Sequence, residues 1–206
     1  MSLIGLFPLE LVLVPTERVP LHIFEPRYKE LINECLETDE EFGIVLAKPS
    51  GDVHRIGTRA AVTEVLQVLD DGRMDVVVEG GDRFRLLEVE HERSFATGIV
   101  EEMVDDDDSP DDADIDKVLE LYARIQEALG APGEPPGRDS ETLDFELTAR
   151  VGFSNVRKQE LLELTSRRER FARLAVMLDH ALSAVVLEQE MRQRAHSNGK
   201  VTPLEP

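Results

Sequence analysis

Few side chains in this sequence are placed to do chemistry. The one cysteine, Cys35, falls on the apolar side of a helical pattern, where a desolvated thiol is inert. Acyl transfer needs an activated hydroxyl or thiol beside a base, yet neither a G-x-S-x-G elbow nor an S-x-x-K dyad occurs. Ser154 and Lys158 stand four apart, but Ser154 sits where a helix N-cap is wanted. His22, His54, His91, His180 and His196 are scattered, with no H-x-x-x-H or H-E-x-x-H pair to hold zinc. His22, between Leu21 and Ile23, reads as a hydrogen-bonded structural residue. Gly199-Lys200 is no phosphate loop: Arg194 stands where the first glycine belongs, and Val201 replaces the metal-binding hydroxyl. Asp105 to Asp108, followed by Asp111, Asp112, Asp114 and Asp116, lacks the register and glycine of a calcium loop. That run reads as a solvated linker entering a helix N-terminus, whose partial positive charge favours aspartate. No catalytic residue, metal or cofactor is expected, so the chain reads as a non-enzyme.

The elements around these residues change character near residue 104. Phe7 to Val14 is short and β-branched and stops at Pro15, as a strand does; Leu21 to Phe24 reads as a second. Pro26 opens a helix, its φ already helical and its missing N–H no loss at that position. Tyr28, Leu31, Ile32, Cys35 and Leu36 make the apolar face of that helix. Phe42 to Ala47 is a compact strand. Arg59 to Leu69 carries apolar residues on both alternating sets, which predicts burial on both faces. Asp70-Asp71-Gly72-Arg73 is a hairpin turn, with glycine supplying the positive φ. Met74 to Val78 returns as a strand that Gly80-Gly81 breaks, and Phe84 to Val89 and Ala96 to Met103 add two more. Beyond the aspartates, helices are expected from Ile115 to Leu129, around Leu143 to Val151, over Asn155 to Leu164, and from a capping box at Ser166-Arg167-Arg168-Glu169 to about Arg194. The tail from Ala195 reads as frayed. The fold class is α+β: a curled β-sheet or barrel with one early helix over residues 1–104, then a helical bundle with a long last helix over 105–206.

Composition limits the partners. With 43 acidic and 23 basic residues the formal net charge is −20, so the surface repels phosphate backbones and anionic lipid. Aromatic residues make up 5% of the chain, too few to stack nucleotides in register. No nucleic acid and no membrane is expected as a partner. One cysteine permits no internal disulfide, and the N-terminus has no basic run of the signal-peptide kind; a cytoplasmic location is expected.

Several segments resemble the N-terminal domain of Lon-type ATP-dependent proteases, in particular bacterial proteins that carry it alone. They are Phe7-Pro8-Leu9, Val12-Leu13-Val14-Pro15, the run Pro20-Leu21-His22-Ile23-Phe24-Glu25-Pro26-Arg27-Tyr28, Phe42-Gly43-Ile44-Val45, Gly57-Thr58, Asp71-Gly72-Arg73 and Val78-Glu79-Gly80-Gly81-Asp82-Arg83-Phe84. Lys158 to Glu163 and Arg170 extend the likeness more weakly, to about residue 190. The resemblance implies a PUA-like β-barrel followed by a helical bundle. It also implies a polypeptide-binding role for unfolded or extended segments, in protein quality control beside a protease or chaperone. It does not imply the ATPase or the protease.

Arg27 and Arg83 have two readings, as ion pairs within the barrel or as the lining of a peptide groove. Leu21, Ile23 and Phe24 read as core ahead of binding surface. The candidate peptide-binding residues are His22, Phe24, Arg27, Tyr28 and Arg83. An RNA-associated module rests on fold analogy alone, and an unrecognised enzyme would need a pocket of converging titratable groups.

Overall fold

A computed structural model describes residues 1–131 and 133–198. Six strands precede residue 103 and four of the five helices follow residue 111: β1 (Ser2–Leu9), β2 (Arg18–Ile23), α1 (Pro26–Thr38), β3 (Phe42–Leu46), β4 (Ile56–Val68), β5 (Met74–Glu90), β6 (Thr97–Glu102), α2 (Asp112–Leu129), α3 (Leu143–Arg150), α4 (Asn155–Glu163) and α5 (Arg167–Asn198). The sheet order is β2-β5-β4-β3-β1-β6, and β6 pairs back onto β5. That last pairing closes β5, β4, β3, β1 and β6 into a barrel. β1 and β3 run parallel; the other neighbours are antiparallel.

The 17 residues of β5 serve two structures. Phe84 to Glu90 lies against β6 in the barrel wall. Met74 to Glu79 lies between β2 and the outer half of β4 and makes a three-stranded extension. Helix α1 covers one face of that extension: Tyr28, Leu31, Ile32 and Cys35 share a core with Ile23, Met74, Val76 and Val78. Ile4, Leu6, Val45, Phe84, Leu86 and Val100 fill the barrel. Val118, Leu121, Tyr122, Leu143, Phe171, Leu174 and Leu178 are among the residues that hold the helical bundle.

Several sequence expectations need correction. The first strand ends at Leu9. Val12, Leu13 and Val14 are buried without being strand, and Val12 and Val14 pack with Ile56, Met103, Phe145 and Leu162 where barrel meets helices. Gly80-Gly81 does not break β5. The strand bends there under the loop at Val14 to Glu17: Thr16 donates to the Gly80 carbonyl at 2.7 Å and Gly80 donates to Glu17 at 2.9 Å. A Cβ at Gly80 would collide with the Val14 carbonyl oxygen, so the position requires glycine for close approach. The outer half of β4, from Thr63 to Val68, is exposed instead of buried on both faces. Leu36 is likewise exposed at the edge of α1. Helix α5 runs to Asn198, past the expected end at Arg194, and residues 199–206 of the predicted tail, with Gly199-Lys200, lie outside the described residues.

The aspartate run is solvent-exposed from Asp105 to Asp107 and leads into α2, as expected, but it also makes contacts that its sequence does not announce. Asp105 pairs with Arg83 and Arg170. Asp106 accepts the Thr165 hydroxyl at 2.9 Å. Asp108 accepts the Arg167 amide at 2.9 Å and the Ser166 hydroxyl at 2.5 Å. The linker therefore caps α5 and ties it to the barrel. Ser166 also accepts the Glu169 amide at 3.0 Å, as the capping box requires. Ser154 occupies the N-cap of α4, but its side chain makes no capping bond.

Candidate functional site

The structure brings four of the five candidate residues to the corner between β2 and α1. His22 faces Asp75 across the β2–β5 ladder, and its Nδ1 lies 2.6 Å from the Asp75 carboxylate. Its ring stacks on Phe24, centroids 6.0 Å apart. Phe24, just past the end of β2, is 59% exposed, so it belongs to the surface and not, as expected together with Leu21 and Ile23, to the core. Arg27 donates to Glu25 through Nε at 2.9 Å, and its Nη2 lies 2.8 Å from the same carboxylate oxygen. Its guanidinium lies 4.5 Å from the centroid of the Tyr28 ring. Tyr28 is 6% exposed and stacks on Phe7 at 4.0 Å. Burial pushes the Tyr28 phenol pKa up, Arg27 opposes this and Glu25 adds to it.

Arg27 and Tyr28 also edge a cleft of about 320 Å³ at the barrel mouth, floored by Leu6, Val53, Val89 and Ala96 and closed by Arg93 and Phe95. Arg93 lies over Phe95 at 4.3 Å and grips Glu34 on α1 with both terminal nitrogens. The hydrogen bond from Arg93 holds the Glu34 carboxyl below its usual range. Sequence reasoning missed Arg93 and Phe95. Their partners are far along the chain, and the only local signal is an Arg two residues from an aromatic in a short connection.

Arg83 is placed elsewhere, at the junction of barrel and helices. It is 5% exposed, donates to the Leu162 carbonyl at 2.8 Å and the Leu164 carbonyl at 2.7 Å, and pairs with Asp105. Burial lowers its pKa and Asp105 opposes that, though a guanidinium stays protonated regardless. Arg170 completes the group: Nε lies 2.6 Å from Asp144, Nη1 lies 2.8 Å from Asp105, and both guanidinium groups approach the Phe145 ring. Burial works against the Arg170 charge, but Asp105 and Asp144 outweigh it and hold its pKa above the usual value. A second buried pair, Lys158 with Glu17, joins α4 to the loop before β2, and Asn155 donates to the Glu10 carbonyl at 2.7 Å. One signal for this junction was legible: Arg170 lies four residues before Leu174 on the apolar stripe of α5, and a buried arginine demands a carboxylate.

Cys35 is buried. Desolvation first, then Glu34 and Glu40, push its pKa up to about 11, which suits a packing residue and not a nucleophile. Among the described residues no group of three or more His, Cys, Asp or Glu is placed to hold a metal ion. No described helix is long and apolar enough to cross a membrane.

With this geometry in view, comparison with known proteins decides the family. A model of the ATP-dependent protease La (LON) substrate-binding domain matches residues 4–180. The chain belongs to the Lon substrate-binding domain family. Among similar proteins, the Lon protease of Parabacteroides distasonis is 28% identical over 219 residues, covering 95% of this chain and 26% of its own length. Lon protease 1 of Hydrogenovibrio crunogenus is 24% identical over 201 residues, covering 90% and 24%. The chain thus spans about a quarter of these relatives. Two solved structures share the fold. A Lon N-terminal domain protein from Xanthomonas campestris superposes with a TM-score of 0.67 at 23% identity, covering 85% of this chain and 98% of that one. The N-terminal domain of the Lon protease from Mycobacterium avium complex gives 0.67 at 15% identity, covering 86% and 98%.

Proposed function

We propose that this chain is a non-catalytic polypeptide-binding module of the Lon substrate-binding kind. It takes unfolded or extended segments in the cytoplasm and presents them to a protease or chaperone in protein quality control. Its binding surface lies on the barrel subdomain, residues 1–104, and the helical subdomain from 105 supports it. The observation that carries this reading is the register of the three-stranded extension. Ile23, Met74 and Val68 share one level across β2, β5 and β4. That level ends in exposed apolar side chains on both faces: Val68 on the Met74 face, and Phe24, which stacks on His22, on the other. Leu66 and Val65 lie next to Val68, each about half exposed. Apolar side chains grouped on one end of a sheet gain by covering one another with a partner's side chains, and an extended apolar segment supplies them. The net charge of −20 keeps such a surface from nucleic acid and favours segments that carry Lys or Arg.

The test is binding to a permanently unfolded polypeptide, followed by fluorescence anisotropy, for the wild-type chain and for the double variant Phe24→Ser, Val68→Ser. The variant should bind at least about tenfold more weakly, a change of roughly 1.4 kcal/mol. No binding by the wild-type chain above background would end the reading.

A further inference from the structure

We infer that the cleft at the barrel mouth receives the C-terminal residue of a bound polypeptide, its apolar side chain on the cleft floor and its α-carboxylate at Arg27 and Tyr28. The inference rests on the polypeptide-binding reading and names the part of the polypeptide that this site recognises. The mouth of a β-barrel is a usual place for a ligand, and about 320 Å³ stands at the lower end of ligand-site volumes. That space suits one side chain with its terminal carboxylate, while the preceding chain leaves over the β2–α1 corner where Phe24 is exposed.

Three features set the chemistry. The floor is apolar: Val53, Val89 and Ala96 are only partly covered by the barrel core beneath them. The rim carries two guanidinium groups on a strongly acidic protein, each stacked on an aromatic ring. Arg27 engages Glu25 through Nε and Nη2, which leaves Nη1 to donate; Arg93 engages Glu34 through both terminal nitrogens, which leaves Nε. A guanidinium presents five N–H groups in a fork that fits carboxylate. The third feature is Tyr28. Its ring is largely buried and lines the cleft, while its hydroxyl, with no protein partner among the described residues, keeps contact with solvent. A phenol O–H placed there can donate to a carboxylate oxygen.

The same chemistry is offered by any small apolar carboxylate. A polypeptide is favoured because the field of a −20 chain repels a free anion, whereas neutral or basic residues upstream of a chain terminus offset that repulsion.

The experiment uses the full chain and a rhodamine-labelled decapeptide ending in leucine, prepared as the free acid and as the C-terminal amide. The free acid should bind at least about tenfold more tightly than the amide, as loss of a charge-assisted pair implies. Arg27→Gln should bring the free acid down to the amide's affinity, Arg27→Lys should restore part of it, and Tyr28→Phe should weaken it with the ring stack kept. Equal affinity for acid and amide would overturn the proposal while leaving the polypeptide-binding reading in place. N-acetyl-leucine competing as well, mole for mole, as the decapeptide would overturn it in favour of a small-molecule site. If neither peptide binds but a permanently unfolded polypeptide does, the terminus is not the determinant. If the unfolded polypeptide fails as well, the broader reading falls with it.

Discussion

Arg170→Met tests what ties α5 to α3 beside the junction with the barrel. Arg170 is 1% exposed and Asp144 2% exposed. Truncating the arginine removes the Asp144 contact at 2.6 Å, and the other oxygen of that carboxylate, Oδ1, already lacks a partner among the described residues. Asp144 would be left as an uncompensated buried charge, which costs about 3–5 kcal/mol. Asp105 is spared much of this because it keeps Arg83 and is about a third exposed. The double variant Arg170→Met, Asp144→Leu removes both charges and fills the space with apolar atoms, so most of the loss should return, to within about 1–2 kcal/mol of wild type. In a chain of this size each kcal/mol moves the Tm by about 2–4 °C, so the single variant should melt roughly 6–20 °C lower. The chain has no Trp, so urea and thermal unfolding are followed by far-ultraviolet circular dichroism. A single-variant loss under about 1 kcal/mol, or a double variant no more stable than the single, would refute the assignment of this pair as the strut between α3 and α5.

Two further perturbations probe the barrel. Cys35, with its pKa raised to about 11 from 9.0, should react with iodoacetamide at pH 8 at least about a hundredfold more slowly in the native chain than in urea, since its thiolate fraction is lower by that factor. The sign follows: the folded state holds the thiol proton more tightly, so this contribution is complete below the unfolded pKa, near 9.0, and is lost as pH rises toward 11. Urea midpoints of wild type and Cys35→Ala from pH 8 to 11 should therefore converge, and parallel curves would contradict the assignment. Gly80→Ala places a methyl against the Val14 carbonyl and should cost about 1–3 kcal/mol in urea titration; a neutral result would mean that the loop from Val14 to Glu17 yields freely.

Local pattern carried much of the fold. Pro26 with Tyr28, Leu31, Ile32 and Cys35 defines α1 because a helix one face deep writes its burial at i, i+3 and i+4. Asp71-Gly72 marks the β4–β5 turn because few residues other than glycine take a φ of 77°. Where burial is decided at a distance, the pattern misleads. Val65, Leu66 and Val68 look doubly buried because an exposed apolar strand and a core strand are written alike. Asp105, Asp106 and Asp108 hide their contacts because the partners, Arg83, Thr165, Ser166 and Arg170, are 22 to 65 residues away. The corner of His22, Phe24, Arg27 and Tyr28 was legible as one continuous run. The cleft beside it was not, since Arg93 and Phe95 reach it only when β6 closes against β1 and β5.

The N-terminal strand sets an order of events for a chain made from its first residue. β1 is flanked by β3 on one side and β6 on the other, so its first eight residues emerge with neither neighbour yet synthesised. One side is satisfied once Leu46 is out, but the second waits for Thr97 to Val100. The loop that follows waits longer still, for Asn155 and Lys158. Contacts so distant along the chain make folding slow and leave an apolar strand edge open on the ribosome. The chain thus spends much of its own synthesis with that edge uncovered, and shortening it from the C-terminal end past Lys158 should yield a product captured by chaperones.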